Sequence, residues 1–86
     1  MPHITIYTTA TCPYCVRAKA LLTKKQAQFE EIAVDSDPGK REEMTARAGG
    51  RSTVPQIFFD DRHIGGCDEL YELSYEGKLD ALLAGG

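Results

Sequence analysis

The sequence predicts an α/β fold: a four-stranded mixed sheet, built βαβ then ββα and flanked by helices. Three observations carry this. Short β-rich runs alternate with segments of helical period. Proline and glycine mark the boundaries between them. A helix lies between the first two strands and so requires a parallel pair, whereas the last two are close enough for a hairpin.

Residues 3–8 (HITIYT) alternate and read as the first strand. Residues 13–26 carry Val16, Ala18, Leu21 and Leu22 at helical spacing, with Arg17, Lys19, Lys24 and Lys25 on or near the wet side. Pro13 suits a first helical turn, where its missing N–H is not needed. Residues 29–34 (FEEIAV) read as the second strand. Asp35-Ser36-Asp37-Pro38 then looks like the cap of a helix that runs through Glu43, Met44 and Arg47 and stops at Gly49-Gly50. Residues 56–60 (QIFFD) form a third strand. Asp60-Asp61-Arg62 makes a turn, His63-Ile64 starts the fourth strand, and Gly65-Gly66 ends it. Residues 67–75 read as a helix with Leu70, Leu73 and Tyr71 inward. Gly77 breaks it before a closing segment with Leu79, Leu82 and Leu83.

With 86 residues, the chain is expected to be one domain over 1–86. Its 42% hydrophobic and 27% charged residues fit an ordinary globular composition. The net charge is -3 with both signs spread along the chain, so neither nucleic acid nor a membrane surface is an expected partner. Three cysteines are an odd number, which argues against a purely structural disulfide framework. No basic segment followed by an apolar run is visible, and no stretch is long enough to span a bilayer. The expectation is a cytoplasmic protein in a reducing compartment, where a Cys-x-x-Cys pair is more often catalytic or metal-binding than structural.

That pair is Cys12-Pro13-Tyr14-Cys15, between the first strand and the first helix. Thiols three residues apart at a helix start share one face and can close a small disulfide ring. Cys12 also sits where unpaired backbone N–H groups and the helix dipole favour an anion. A thiolate is the form that attacks disulfides, so the placement reads as a reversible dithiol/disulfide centre. Cys12 is the expected nucleophile, and Cys15, inside the first turn, the expected resolving thiol. Two other readings stand beside this one: zinc ligands, or inert thiols filling a core. Zinc takes about four ligands. The chain offers only a third cysteine and two histidines, with no second Cys-x-x-Cys, and no metal is expected. His3 and His63 read as surface or strand residues, neither ligands nor bases.

Two further segments accompany the pair. Thr53-Val54-Pro55 precedes the third strand, and Gly65-Gly66-Cys67-Asp68-Glu69 joins the fourth strand to a helix. Glycines at such a junction let a ligand approach the backbone, and the helix start that follows suits carboxylates. Asp68 can accept from an ammonium group or simply cap the helix. Cys67 is either a small side chain in a tight junction or a thiol open to oxidation.

With TCPYC at 11–15, TVP at 53–55 and GGCDE at 65–69 in this order, the chain resembles a dithiol glutaredoxin over essentially its whole length. The resemblance implies a thioredoxin-like fold. It implies a glutathione-dependent thiol–disulfide oxidoreductase with a Cys12–Cys15 redox disulfide and glutathione as co-substrate. Tyr14, Thr53, Val54, Pro55, Gly66, Cys67 and Asp68 would bind glutathione. Pro55 would be a cis-proline, with the backbone of Val54 pairing with the ligand as an added strand does. The implied partners are disulfide-bonded or glutathionylated proteins, ribonucleotide reductase among them, met by a monomer. Many relatives carry a lysine three residues before the first cysteine; here that position is Thr9, with Arg17, Arg51 or Gln56 as substitutes. Two rivals differ in chemistry: an electron donor served by thioredoxin reductase, and an iron–sulfur module using Cys12.

Overall fold

The computed structural model describes residues 2–85. Four strands and four helices follow the expected order: β1 (Ile4–Thr8), α1 (Pro13–Lys24), β2 (Phe29–Ala33), α2 (Pro38–Arg47), β3 (Gln56–Phe59), β4 (Arg62–Gly65), α3 (Cys67–Tyr75) and α4 (Leu79–Leu83). The strands form one mixed sheet in the order β2-β1-β3-β4. β1 pairs parallel with β2, as the α1 crossover requires, and antiparallel with β3. β3 and β4 form the antiparallel hairpin.

Alternation along the strands divides the core into two layers. Ile4, Ile6, Ile57 and Phe59 face Ala18, Leu21 and Leu22 of α1, Leu70 of α3, and Leu79 and Leu83 of α4. Tyr7 and Phe58 point to the opposite face and pack with Val34, Met44 and Ala48. There the Tyr7 hydroxyl donates to Glu43 at 2.6 Å and accepts from Arg47 at 2.9 Å. The Arg47 guanidinium lies 4.1 Å from the centre of the Phe58 ring.

The local signals act much as expected. Asp37 caps α2 through its side chain, which accepts the Lys40 N–H at 3.2 Å. Gly49 and Gly50 follow that helix with φ of +67° and +102°, a region glycine enters at no steric cost. Several boundaries differ: β1 begins at Ile4 and not at residue 3, and α1 ends at Lys24, two residues short of the expected 26. β2 ends at Ala33, one residue early, and β3 ends at Phe59, because Asp60 turns into the left-handed region at φ +54°. β4 is longer than expected and takes in Gly65.

Within β4 the register slips: Ile57 faces Gly65, but Phe58 faces His63. Ile64 is the extra residue of a β-bulge. It packs toward the α1 layer, while His63 stays on the Phe58 face. One packing expectation fails. Val16 is 60% exposed, and Cys15 fills the inward position of that turn instead. A buried cysteine packs as a small hydrophobe, so the apolar stripe begins one residue earlier than the aliphatic residues alone suggest.

Among the described residues no helix is long and apolar enough to cross a membrane.

Two stability predictions follow from this packing. Met44 is the buried residue of α2 and anchors that helix to the sheet. Met44→Ala should lower stability by about 2–5 kcal/mol, seen as a lower urea midpoint at unchanged slope. The second concerns acid. Hydrogen bonds from the hydroxyls of Tyr7 and Thr8 hold the carboxyls of Glu43 and Glu31 below their ordinary value of 4.5. Below that value the unfolded chain binds these protons more readily than the folded one. The stability they contribute is therefore present above pH 4.5 and drains away as pH falls through the folded values. Urea midpoints measured on acidification should fall in that window, and Tyr7→Phe should blunt the fall.

Candidate active site

β1 delivers the chain to the first helix through a short turn. The Ala10 N–H, donating to Asp35 Oδ2 at 3.0 Å, ties that turn to the end of β2. Cys12 follows in extended conformation (φ −99°, ψ 108°) as the N-cap of α1, with Pro13 at the first helical position. Its carbonyl accepts the first α-helical N–H, that of Val16, at 3.2 Å. Its sulfur accepts the Cys15 N–H at 3.1 Å. Serine and aspartate oxygens usually fill this acceptor role. Here a sulfur fills it, and the donor it meets grows stronger as the sulfur gains negative charge. On its other side the Cys12 thiol donates to the Val54 carbonyl at 3.7 Å.

The three thiols have unequal environments. Cys12 is partly exposed, whereas Cys15 and Cys67 are buried. Burial, followed by the hydrogen bond with Cys12, pushes Cys15 up to about 12; the Thr9 backbone and Lys19 pull weakly the other way. Cys15 thus keeps its proton at neutral pH. Burial also pushes Cys67 up, against a smaller opposing pull from Arg17.

Beside Cys12 lies a groove of about 150 Å³. Tyr14, Thr53, Val54, Pro55, Gly66, Cys67 and Asp68 all line it. Three separate stretches of chain meet there, and the sheet explains why. Antiparallel pairing of β3 with β1 brings the start of β3 beside the end of β1, and β4 returns the chain to the same edge. The Val54-Pro55 bond is cis. The Pro55 carbonyl lies so near Gly66 that a Cβ there would come within 3.2 Å of it. Gly65 has φ +119°, and a Cβ on it would meet the Glu69 side chain. Glycine is required at position 65, and a side chain at position 66 would be tightly crowded where this strand turns into α3.

One lining residue, Glu69, was given no binding role by the sequence reading, and another, Arg51, was one of three substitutes offered for a lysine at Thr9. Glu69 accepts the Gly66 N–H, the donor at the start of α3, and meets Arg51 Nη1 at 3.3 Å. The Gly66 N–H is the main reason its carboxyl lies below the ordinary range, with Arg51 adding to it. The acidic residue three positions into the helix was the signal available for this cap. Of the three cations or amides considered in place of a lysine at Thr9, Arg51 alone lines the groove. Arg17 leans on the Tyr71 ring, 5.6 Å from its centre. Gln56 is fully buried and turned toward Thr53 and His63. Among the described residues no three His, Cys, Asp or Glu side chains cluster as metal ligands.

The unequal thiols predict a selective alkylation. Iodoacetamide at neutral pH should modify the reduced native protein once, at Cys12, with Cys15 and Cys67 modified only after unfolding. Peptide mass mapping reads the sites, and native-state modification of Cys15 at a rate like that of Cys12 would contradict the environments described above.

The glutaredoxin family model matches residues 4–64 of the chain. The chain is 58% identical over 83 residues to glutaredoxin 3 of Escherichia coli, covering 96% of this chain and 99% of that one. The solution structure of a glutaredoxin from Brucella melitensis is 55% identical and superposes with a TM-score of 0.84, covering 96% of this chain and 89% of that one. A crystal structure of a buckwheat glutaredoxin–glutathione complex, 29% identical, superposes with a TM-score of 0.87 over 96% of this chain and 77% of that one. The chain therefore belongs to the glutaredoxin family and is a thiol–disulfide oxidoreductase.

Proposed function

We propose that the chain uses glutathione to reduce protein–glutathione mixed disulfides and protein disulfides, with Cys12 as nucleophile and Cys15 as resolving thiol. The observation that carries this is the position of Cys12. Its sulfur caps α1 and adjoins, through the Val54 carbonyl, the groove lined by Tyr14, Thr53, Pro55, Gly66, Cys67 and Asp68. The buckwheat relative, whose structure is a complex with glutathione, supports the choice of ligand.

The groove suits that tripeptide. At about 150 Å³ it is smaller than an enclosing small-molecule pocket, which fits a ligand lying along an open edge. The backbone of Val54 pairs with the cysteinyl residue as a neighbouring strand would. The start of α3 with Asp68 receives the γ-glutamyl end, which carries both a carboxylate and an ammonium group. Tyr14 and Thr53 flank the ligand. Arg51, which also lines the groove, supplies for a glutathione carboxylate the cation that Thr9 does not.

In the monothiol cycle the Cys12 thiolate attacks the glutathionyl sulfur of the mixed disulfide. That S–S bond breaks, and the protein leaves as a thiolate that takes up a proton. A glutathione thiolate then attacks the glutathionyl sulfur on Cys12, releasing glutathione disulfide and the Cys12 thiolate. In the dithiol cycle Cys12 attacks a protein disulfide and holds one half of it. Cys15 attacks the Cys12 sulfur, and its proton goes to the departing protein thiolate. Two glutathiones reduce the resulting Cys12–Cys15 disulfide. A Cys15 that is a thiol at rest does not compete with glutathione for the first mixed disulfide, which favours the monothiol route where both are open. Glutathionylated proteins and disulfide enzymes such as ribonucleotide reductase are the substrate class, and the glutathione pool of the cytoplasm is the electron source.

Glutathione-dependent reduction of a glutathione mixed disulfide, followed for the wild type, Cys12→Ser and Cys15→Ser, tests the assignment. Cys12→Ser should abolish turnover. Cys15→Ser should keep it, while losing reduction of protein disulfides. A folded wild type without activity would overturn the glutathione reading and turn the search for a donor to thioredoxin reductase.

A further inference from the structure

Gln56 is a fully buried amide, and His63, read from sequence as a plain strand residue, packs against it. Neither lines the groove, yet both connect to it. His63 Nε2 lies 2.6 Å from Gln56 Oε1. Gln56 Nε2 donates to the Thr53 carbonyl at 3.0 Å and to the Thr53 hydroxyl at 3.2 Å. We infer that His63 and Gln56 are positioning residues, a directional hydrogen-bond relay that holds the Thr53–Val54 edge of the groove in its ligand-binding geometry. The inference rests on the glutathione reading, since it names what fixes one wall of that site.

The direction of the relay follows from what each atom can do. The Thr53 carbonyl is an acceptor only, so the Gln56 NH₂ must face it. Gln56 Oε1 then faces His63, and His63 must present Nε2 as its donor. His63 has no freedom to swing away, because its ring stacks on Phe58 at 4.9 Å between centres and 25° between planes. The stack follows from the register, which sets His63 directly opposite Phe58, and the extra residue at Ile64 comes only after that pair. Without that extra residue, the rest of β4 would keep its pairing with β3 but the Gly65 junction would shift by one position relative to the groove. The bulge lets one short strand place His63 against Phe58 and Gly65-Gly66 against Pro55 at once.

The relay also tolerates changes in charge. Burial, with Arg51 nearby, pulls His63 below its ordinary value, against an upward pull from Glu69. His63 is therefore neutral at physiological pH, and Nε2 donates in the neutral tautomer selected here as well as in the protonated ring. Each end of the chain thus keeps its partner across the working range. A relay built on a carboxylate in place of Gln56 would repel the Thr53 carbonyl instead.

The test removes the donor while keeping the ring. His63→Phe preserves the stack on Phe58 and cannot donate to Gln56; His63→Gln returns an amide N–H at the position of Nε2. Three quantities are read on each folded variant: the KM for the glutathione mixed disulfide, whose glutathionyl group occupies the groove, kcat, and the rate of Cys12 alkylation, which needs no glutathione. Loss of one buried hydrogen bond predicts a KM raised roughly fivefold in His63→Phe, with kcat and alkylation rate held. His63→Gln should recover most of the KM. Gln56→Leu should raise KM as well, and adding His63→Phe to it should change little further, because one relay is broken only once. An unchanged KM in His63→Phe overturns the relay. So does a parallel fall of kcat and alkylation rate, which would mark general loss of packing, or a failure of His63→Gln to recover. If the wild type itself does not saturate with the glutathione mixed disulfide, the glutathione reading falls and the relay with it. If the wild type saturates and His63→Phe matches it, the relay alone falls.

Discussion

A helix start exposes backbone N–H groups that need acceptors, and α1 meets that need with the sulfur of Cys12. This single contact links fold to chemistry. As a cap, Cys12 fixes where the helix begins and how Pro13, Tyr14 and Cys15 are presented. As an acceptor, its sulfur is most strongly bound when it carries negative charge, which is also its nucleophilic state. The same geometry buries Cys15 one turn in, where low polarity keeps the second thiol protonated. One hydrogen bond and one step of helical pitch therefore separate the two thiols into attacker and reserve. Neither role needs a specialised base in the site.

The groove beside Cys12 depends on a second constraint, the close approach of two chain junctions. A Cβ at Gly66 would press to 3.2 Å on the Pro55 carbonyl, and Gly65 adopts a backbone angle that glycine alone enters freely. Glu69 closes the start of α3 by accepting the Gly66 N–H. It leaves Asp68, with no such duty, facing the groove. The pair of adjacent carboxylates is thus divided, one spent on the helix and one available to a ligand. Arg51, bridging to Glu69, adds a cation to the same lining.

Much of this was legible in the sequence because each feature has a local cause. Pro13 and Pro38 open helices, Gly49-Gly50 and Gly77 follow helix ends, and α3 begins and ends where the glycines and apolar spacing put it. The seven expected groove residues converge because three motifs occupy loop positions that the sheet order brings to one edge. What was not legible is non-local. Val16 and Cys15 compete for one inward position, and only packing against the sheet decides between an aliphatic residue and a thiol. The bulge at Ile64 leaves no mark on composition: His63-Ile64-Gly65 would read the same in a regular strand. Gln56 reads as the polar start of an apolar strand, and its burial becomes intelligible only once Thr53 and His63 are seen on either side of its amide.

A small fold has few ways to hold a loop rigid, and this one uses polar groups that a larger protein would replace with core. The Thr53–Val54 segment has the cis peptide on one side and the surface-exposed Gly49–Ser52 loop on the other. Arg41 Nη2 donates to the Ser52 carbonyl at 2.9 Å from outside, and Gln56 holds the Thr53 carbonyl from inside. An interior amide with both ends satisfied specifies one arrangement more sharply than an apolar contact, because the alternatives leave a buried polar atom without a partner. Wall geometry therefore follows from directional bonds and the thiol chemistry from a helix cap. The two meet at Val54, whose carbonyl faces Cys12 and whose side chain packs against the second core layer. A change on the far face of the sheet can in this way reach the reactive sulfur through a single residue.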